Sequence, residues 1–341
     1  MLYCDPPGKS DFSSLTSHGI HNVQEFNYIL FHDQEPIHLD IHSELFDSVK
    51  ARTQNLNDTY GPYHKAIVTS EYNSETVEEV CGIYGWKHYY YFFHGWASLD
   101  WYRGYNMSFL MPNPTSRIIT KSFISPNRII GGKRKHRVDL MHLLLTRKIK
   151  NAHISFPEIC PAEKQHILDI AKPSQRTEFA AAGLPWNFAG EEGHPMHSCY
   201  LSLFNESAES LAYLITETVY NGRRHHLTEK TFKPICLGMP FVLVSTAGSL
   251  RYLRHYGFKT FDTVWDESYD LETDDEKRLV MIADLLKELD SLSVAARLKL
   301  FEESLPIVMH NYNHFYNGGF EKILCNELNS MLNNLSKDFE I

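Results

Sequence analysis

The chain has 341 residues, enough for two domains and too many for one comfortable core. Hydrophobic residues make up 43% and charged residues 22%, which excludes a disordered or fibrous class. The formal net charge of −9 argues against a protein that grips nucleic acid through its whole surface, while leaving room for a local basic groove. Six scattered cysteines form no C-x-x-C pair, so reduced thiols in a cytoplasmic protein are expected. No apolar run approaches membrane-spanning length, and Met1–Asp11 does not have the form of a signal peptide.

In chain order, residues 26–31 form a β-like run ending in His32-Asp33-Gln34-Glu35-Pro36. A second run, residues 64–69, ends in Ser70-Glu71, and an aromatic third, residues 88–94, ends at Gly95. Helical-length segments separate them, which predicts an α/β fold with a largely parallel sheet. The two-proline stretch 111–115 is expected to be a linker. Beyond it the alternation restarts: strand 118–125, helix 136–150, strand 152–156, helix 163–171, strand 200–204, helix 228–237, strand 241–245 and helix 249–256. Residues 276–335 are expected to be mostly helical, with a break at Gly318-Gly319. This organisation suggests residues 1–115 as an acceptor-side Rossmann-like domain and 116–300 as a nucleotide-sugar-binding one. The C-terminal helices of 301–341 would return to the first domain.

The most informative block runs from Cys199 to Leu250, with Y-L-S-L-F-N-E-S, L-T-E-K-T-F-K-P-I and G-M-P-F-V-L-V in succession. Thr228 is the expected N-cap, putting Glu229 and Lys230 in the first helical turn. A lysine at the positive end of a helix dipole makes sense when an anion also sits there, because free N–H groups and an ammonium together suit a phosphate. Standing alone, a Glu-Lys pair would be an ordinary solvated helix start.

In context, the block resembles the donor-binding region of α1,3-fucosyltransferases and related GT-B glycosyltransferases. Their pattern is a strand ending in F-E-N-S, then T-E-K, a helix and a Pro-led strand. The resemblance implies that Glu229 contacts the donor's ribose or sugar and Lys230 its phosphates, with Thr228, Glu206 and Ser207 alongside. Upstream, Phe123–Asn127 and the basic run Lys133–Arg137 match the family's strand, turn and phosphate-binding arginine. That implies donor roles for Asn127, for Arg137 and, as understudy, for Arg134. The chain departs in spelling Asn205-Glu206-Ser207, in placing Pro234 inside the helix, and in inserting a segment that contains Thr216-Glu217 and Arg223–His226. It is also similar to glycosyltransferase-like proteins of bacteria and large bacteriophages, through His136–Val138, Ile154–Phe156, Thr228–Pro234 and Gly257–Phe261.

The resemblance implies two facing Rossmann-like domains and an inverting, metal-independent transfer from a UDP- or GDP-sugar, with no cofactor. No strict D-x-D, the usual metal-diphosphate signature, is present. Asp33 and Glu35, on a strand-end loop, are the expected catalytic bases, with His32, Glu71 and His94 as further candidates. His94, Trp96, Trp101 and Arg103 are expected at the acceptor, whose aromatic surroundings equally suit a buried core.

The acceptor is either a glycan or a hydroxymethylated base in bacteriophage DNA, the second using the basic face of residues 133–150. The corresponding compartment is the cytoplasm of a bacterium or of a phage-infected cell. A reading of another class is a non-catalytic nucleotide- or glycan-binding protein. His310 and His314 lack the glutamate of a zinc-protease motif, and with His38-x-Asp40-x-His42 are expected to be structural. The acidic run 266–276 is expected to be a solvated loop.

Overall fold

The computed structural model describes residues 2–4, 28–32, 36–38, 46–47, 50–51, 65–106, 117–160, 164–188 and 200–339. It divides into two compact units, Met1–Trp96 with Lys322–Ile341, and Ala97–Glu321. The division falls at 96/97 and 321/322, beside the 115/116 and 300/301 suggested by the sequence. The expected linker, 111–115, lies outside the described residues.

The first unit is a four-stranded parallel sheet in the order β1-β2-β3-β4, comprising Leu2–Cys4, Tyr28–His32, Lys65–Thr69 and Lys87–Tyr90. Helix α1, Glu75–Tyr84, connects β3 to β4. Ser74 caps its N-terminus and Gly85 ends it in the left-handed conformation that glycine adopts without strain. The aromatic stretch expected as one strand is divided: β4 ends at Tyr90 and helix α2 spans Phe93–Tyr102. Alanine and leucine at 97 and 99 favour that helix once the sheet ends. Residues 322–339 of the last helix pack on this sheet. Met331 and Leu335 join Ala66, Val68, Tyr89 and Tyr91 in one core, Glu327 accepts the Phe92 N–H at 2.8 Å, and Asp338 accepts the Tyr89 hydroxyl at 2.6 Å.

The second unit is a parallel sheet in the order β6-β5-β7-β8, comprising His153–Ser155, Lys121–Pro126, Ser210–Thr216 and Phe241–Val244. The order reverses between β5 and β7, and this is where such sheets open a crevice at their carboxyl ends. Helix α3, Lys135–Thr146, leads from β5 to β6, and two short helices, α4 (Ile167–Ile170) and α5 (Arg176–Ala181), follow β6. The expected helix 163–171 therefore shrinks to one turn.

The strand expected at 200–204 is replaced by a short helix α6, Phe204–Ala208, entered through Leu203 at φ 57°. The strand itself is β7, S-L-A-Y-L-I-T, buried at every position. A central strand covered on both faces is continuously apolar, which is the pattern of residues 211–215. Helix α7, Glu229–Cys236, and helix α8, Ser249–His255, flank β8. Pro234 sits inside α7, as the sequence indicated, and the helix starts at Glu229. The tail is helical as expected: α9 Asp275–Ser291, α10 Val294–Tyr316 and α11 Gly319–Phe339, with the break at Asn317-Gly318.

Buried charges fasten this unit. Arg278 of α9 donates to the carbonyls of Ser245 (3.1 Å), Glu272 (2.9 Å) and Tyr220 (2.7 Å) and to the Asp275 carboxylate (2.6 Å). At the amino edge Asp290 accepts the backbone N–H groups of Lys150 and Asn151, while Arg297 donates to Thr120 O at 2.6 Å. The acidic run is not wholly solvated. Asp270 is buried and accepts the Leu250 N–H at 3.0 Å, and buried Glu267 accepts the Phe261 N–H at 2.7 Å.

His310 and His314 are structural, as expected, bonded to Gly257 O at 2.9 Å and Tyr256 O at 2.7 Å. Gly257 has φ +85°, and a Cβ there would lie 2.6 Å from His314 Nε2. Gly257→Ala is therefore expected to lower the free energy of unfolding by about 2–4 kcal/mol, combining left-handed strain with overpacking. Chemical denaturation measures it, with Gly104→Ala, where nothing lies within 4 Å of an added Cβ, as the near-neutral control.

Candidate functional site

The candidate site is the carboxyl edge of the second unit's sheet, around the switch point between β5 and β7. Its floor is a buried polar network. Asn127, just past β5, donates its N–H to Ser155 Oγ at 3.1 Å and its side-chain amide to Ser125 Oγ at 2.9 Å, and accepts the Thr216 hydroxyl at 2.8 Å. It thus joins the ends of β5, β6 and β7. Glu217, fully buried at the end of β7, is the centre of the network. Its backbone N–H donates to Val244 O at 3.0 Å, and its carbonyl faces His136 Nε2 at 3.0 Å. Its side chain accepts the Thr228 N–H (2.9 Å), the Thr228 hydroxyl (2.6 Å) and the Thr231 hydroxyl (2.7 Å). The loop after β7 is thereby drawn back to its own strand end, and the start of α7 is held against it.

On that support stands the T-E-K turn. Thr228 is the N-cap, accepting the Lys230 N–H at 3.4 Å, and Thr231 N donates to Thr228 O at 3.1 Å. The Lys230 ammonium folds back over the helix start, donating to Thr228 Oγ1 and Glu229 Oε1, both at 3.0 Å. Its side chain remains 32% exposed and that of Glu229 8%, so the ammonium faces solvent while the carboxylate stands behind it. An ammonium at this end of a helix opposes the dipole, and Glu229 offsets it.

Arg137, expected to bind phosphate, serves the framework instead. Its guanidinium is buried and donates to Ile129 O (2.7 Å), Thr216 O (2.7 Å) and Glu217 O (3.3 Å). Both terminal nitrogens of the guanidinium are thus committed to carbonyls at or just beyond the strand ends. Arg134, the arginine expected as understudy, stands at the N-cap of α3 and is partly exposed. His136 is buried and stacked on Tyr220, with ring centroids 4.8 Å apart. Burial and then the Arg137 charge hold its pKa well below the usual imidazole value. His225, stacked on Tyr252 and near Thr246 and Ser249, is pushed down to about 4, chiefly by burial and then by the Arg251 charge.

Glu206 and Ser207, expected beside Thr228–Lys230, lie at the opposite edge. They belong to α6, which precedes β7, so the seven-residue strand separates them from the T-E-K turn by about 20 Å. Asp33 and Glu35, the expected catalytic pair, lie outside the described residues, and of His32 only the backbone is described. Glu71 is buried in the first unit, accepting the Ile37 N–H at 2.5 Å and the Ser74 hydroxyl at 2.7 Å. Its carboxylate thus ties the segment at Ile37 to the capping serine of α1. The expected acceptor residues do not form one face. His94 and Trp96 of α2 are turned about 200° from one another by helix geometry, His94 is buried, and Trp96 packs on the sheet core. Trp101 is half-buried, and Arg103 is exposed and paired with Asp100 at 3.2 Å.

Sequence reasoning missed Glu217, His136, Thr231 and Tyr220 as site-building residues. The available signal was a Thr-Glu pair directly after a continuous apolar run, where a buried parallel strand ends. Among the described residues no three His, Cys, Asp or Glu side chains gather as metal ligands would, and no helix is long and apolar enough to cross a membrane.

The class defined by this geometry is a parallel α/β unit with a polar, cation-bearing switch point. No protein-family model, curated protein or solved structure matches the chain.

Two outcomes follow from the network. Glu217→Ala strands one N–H and two hydroxyls and is expected to cost about 3 kcal/mol, whereas Glu217→Gln, keeping an acceptor in place, is expected to cost less than half of that by denaturant unfolding. Because His225 is held neutral, its contribution is complete above pH 6.5 and lost as pH falls towards 4, on the order of 3 kcal/mol for this group. Unfolding curves between pH 7 and 4 check this, and His225→Gln is expected to flatten them.

Proposed function

We propose that the chain is a glycosyltransferase of the GT-B type, moving a sugar from a UDP- or GDP-linked donor to an acceptor hydroxyl with inversion and without a metal. The observation that carries this reading is the T-E-K helix start, held by Glu217 at the switch point of a parallel sheet. Two parallel α/β units, and a last helix that packs with the first of them, support the GT-B form.

In the transfer, the acceptor oxygen bonds to the anomeric carbon while the bond from that carbon to the diphosphate oxygen breaks. The diphosphate leaves with the electron pair, and the acceptor proton passes to a base, for which Asp33 and Glu35 stand as the sequence-derived candidates. Charge developing on the diphosphate is met by Lys230, held in advance by Thr228 and Glu229, with Arg134 as the second cation. Glu229, behind the ammonium, orients it, and the family resemblance gives it the donor's ribose or sugar hydroxyls. Asn127, Arg137 and Thr228 hold the floor on which these groups stand.

A thermal-shift series over UDP-, GDP-, CMP- and dTDP-sugars tests the reading. A donor at a hundredfold its Kd is expected to stabilise the fold by about 2.7 kcal/mol. Lys230→Ala is expected to weaken that donor tenfold to a hundredfold, the range for one charge-assisted hydrogen bond, with the unliganded melting temperature little changed. A wild-type protein that neither shifts with nor hydrolyses any nucleotide sugar would end this reading. NMR of the product reports the anomeric configuration, and retention would remove the inverting mechanism.

A further inference from the structure

Glu267 of the second unit is a buried acid whose charge the fold answers on one side only. It closes the turn that follows α8, where the Phe261 N–H donates to its Oε1 at 2.7 Å. Apolar rings crowd this turn: Phe261 packs against Phe241 of β8 and against Trp265, with ring centroids 5.1 and 5.2 Å apart. The second oxygen, Oε2, is buried, and among the described residues no hydrogen-bond donor reaches it. Arg254 of α8 stands between two acids, its guanidinium 3.6 Å from Glu267 Oε2 and 3.6 Å from Asp262 Oδ2. Both distances are too long for a hydrogen bond, so one arginine is shared between a buried carboxyl and an exposed one.

An ionised oxygen removed from water and given no donor is strongly disfavoured, and Oε2 has almost no exposed surface on which a water could sit. A proton needs no such room. The Thr260 hydroxyl lies beside the carboxyl, is itself buried without a hydrogen-bond partner, and supplies the acceptor for an O–H on Oε2. Burial above all pushes the Glu267 carboxyl up to about 7; the Thr260 hydroxyl, the Phe261 N–H and the Arg254 charge pull against it, and the Asp262 charge adds to it.

Tyr269 and Asp270, from the segment that follows, share this field. Burial holds the Tyr269 hydroxyl well above the ordinary phenol range, so it stays neutral. Asp270 is raised by burial too, but the Leu250 and Arg251 N–H groups answer its carboxylate. The same two residues anchor the loop between β8 and α8. Tyr269 Oη accepts the Leu243 N–H at 3.4 Å, and the Asp270 carbonyl accepts the Gly248 N–H at 2.7 Å. A change of charge at Glu267 therefore falls beside the anchor of a loop at the carboxyl edge of the sheet.

We propose that Glu267, Thr260, Arg254 and Asp262 form a proton-operated latch on this turn. With a proton on Oε2, the Glu267 carboxyl donates to Thr260 Oγ1 and Arg254 serves Asp262. When the proton leaves to solvent, Arg254 turns from Asp262 and closes on Oε2 as a charge-assisted pair. The Arg254 side chain is 42% exposed, which leaves it the freedom to turn.

An NMR titration of the side-chain carboxyl carbons in the full chain tests it, with Glu267→Gln assigning the resonance. A Glu267 midpoint near 7 is expected. Arg254→Gln removes the cation and is expected to raise that midpoint by about one pH unit, whereas Asp262→Asn frees Arg254 for Glu267 and is expected to lower it by about as much. Stability gives a second reading. The folded carboxyl is raised above its ordinary value of 4.5, so the unfolded chain releases this proton first as pH rises. Relative to Glu267→Gln, whose amide keeps an acceptor for Phe261 and a donor for Thr260, the wild-type folding equilibrium is expected to weaken about tenfold per pH unit from 4.5 to 7 and to run parallel above 7. A Glu267 midpoint at about 5 or below would overturn the proposal. So would a midpoint unmoved by both Arg254→Gln and Asp262→Asn, or identical pH profiles of stability for wild type and Glu267→Gln.

Discussion

The arrangement at the carboxyl edge of the second unit depends on one buried carboxylate. Removing a carboxylate from water is costly unless its oxygens are answered, and Glu217 is answered by one N–H and two hydroxyls from the start of α7. The same residue's backbone carbonyl takes part in holding His136 and Arg137 at the start of α3. Three elements that meet nowhere in sequence are thus registered to one strand end. The loop of residues 218–227 leaves β7 and must come back to the point it left, so its length does not loosen the site.

The two edges of this sheet are secured by different means and have different freedom. At the amino edge, Asp290 and Arg297 satisfy backbone groups before β5 and β6, and α6 places Glu206 and Ser207 there. At the carboxyl edge, Arg137, Asn127 and Arg278 occupy the carbonyls and hydroxyls of the floor. The Lys230 ammonium, partly exposed, stands on this frame beside Thr228 and Glu229. A site that must stabilise a leaving diphosphate benefits from such a frame, because its donors need no rearrangement as charge develops.

Local chemistry was legible in the residues themselves. The strands around 28–32, 65–69, 121–126 and 241–244, the T-E-K helix start with its threonine cap, the break near Gly318 and the structural roles of His310 and His314 all follow from apolar runs, capping residues and turn residues acting over a few positions. What the chain alone did not disclose depends on distant partners. Strand β7 was overlooked because a strand covered on both faces carries no alternation, and a motif-like stretch ten residues earlier drew the assignment. Arg137 looks like a ligand-binding arginine until the carbonyls of Ile129, Thr216 and Glu217 are brought to it. Glu217 itself is one glutamate among many until the sheet order sets β7 beside β5 and leaves its side chain at the switch point. Sequence determined which segments could be strands and helices; only tertiary structure decided which polar and charged groups are consumed inside the fold, because their partners stand about 10 to 90 positions away in the chain.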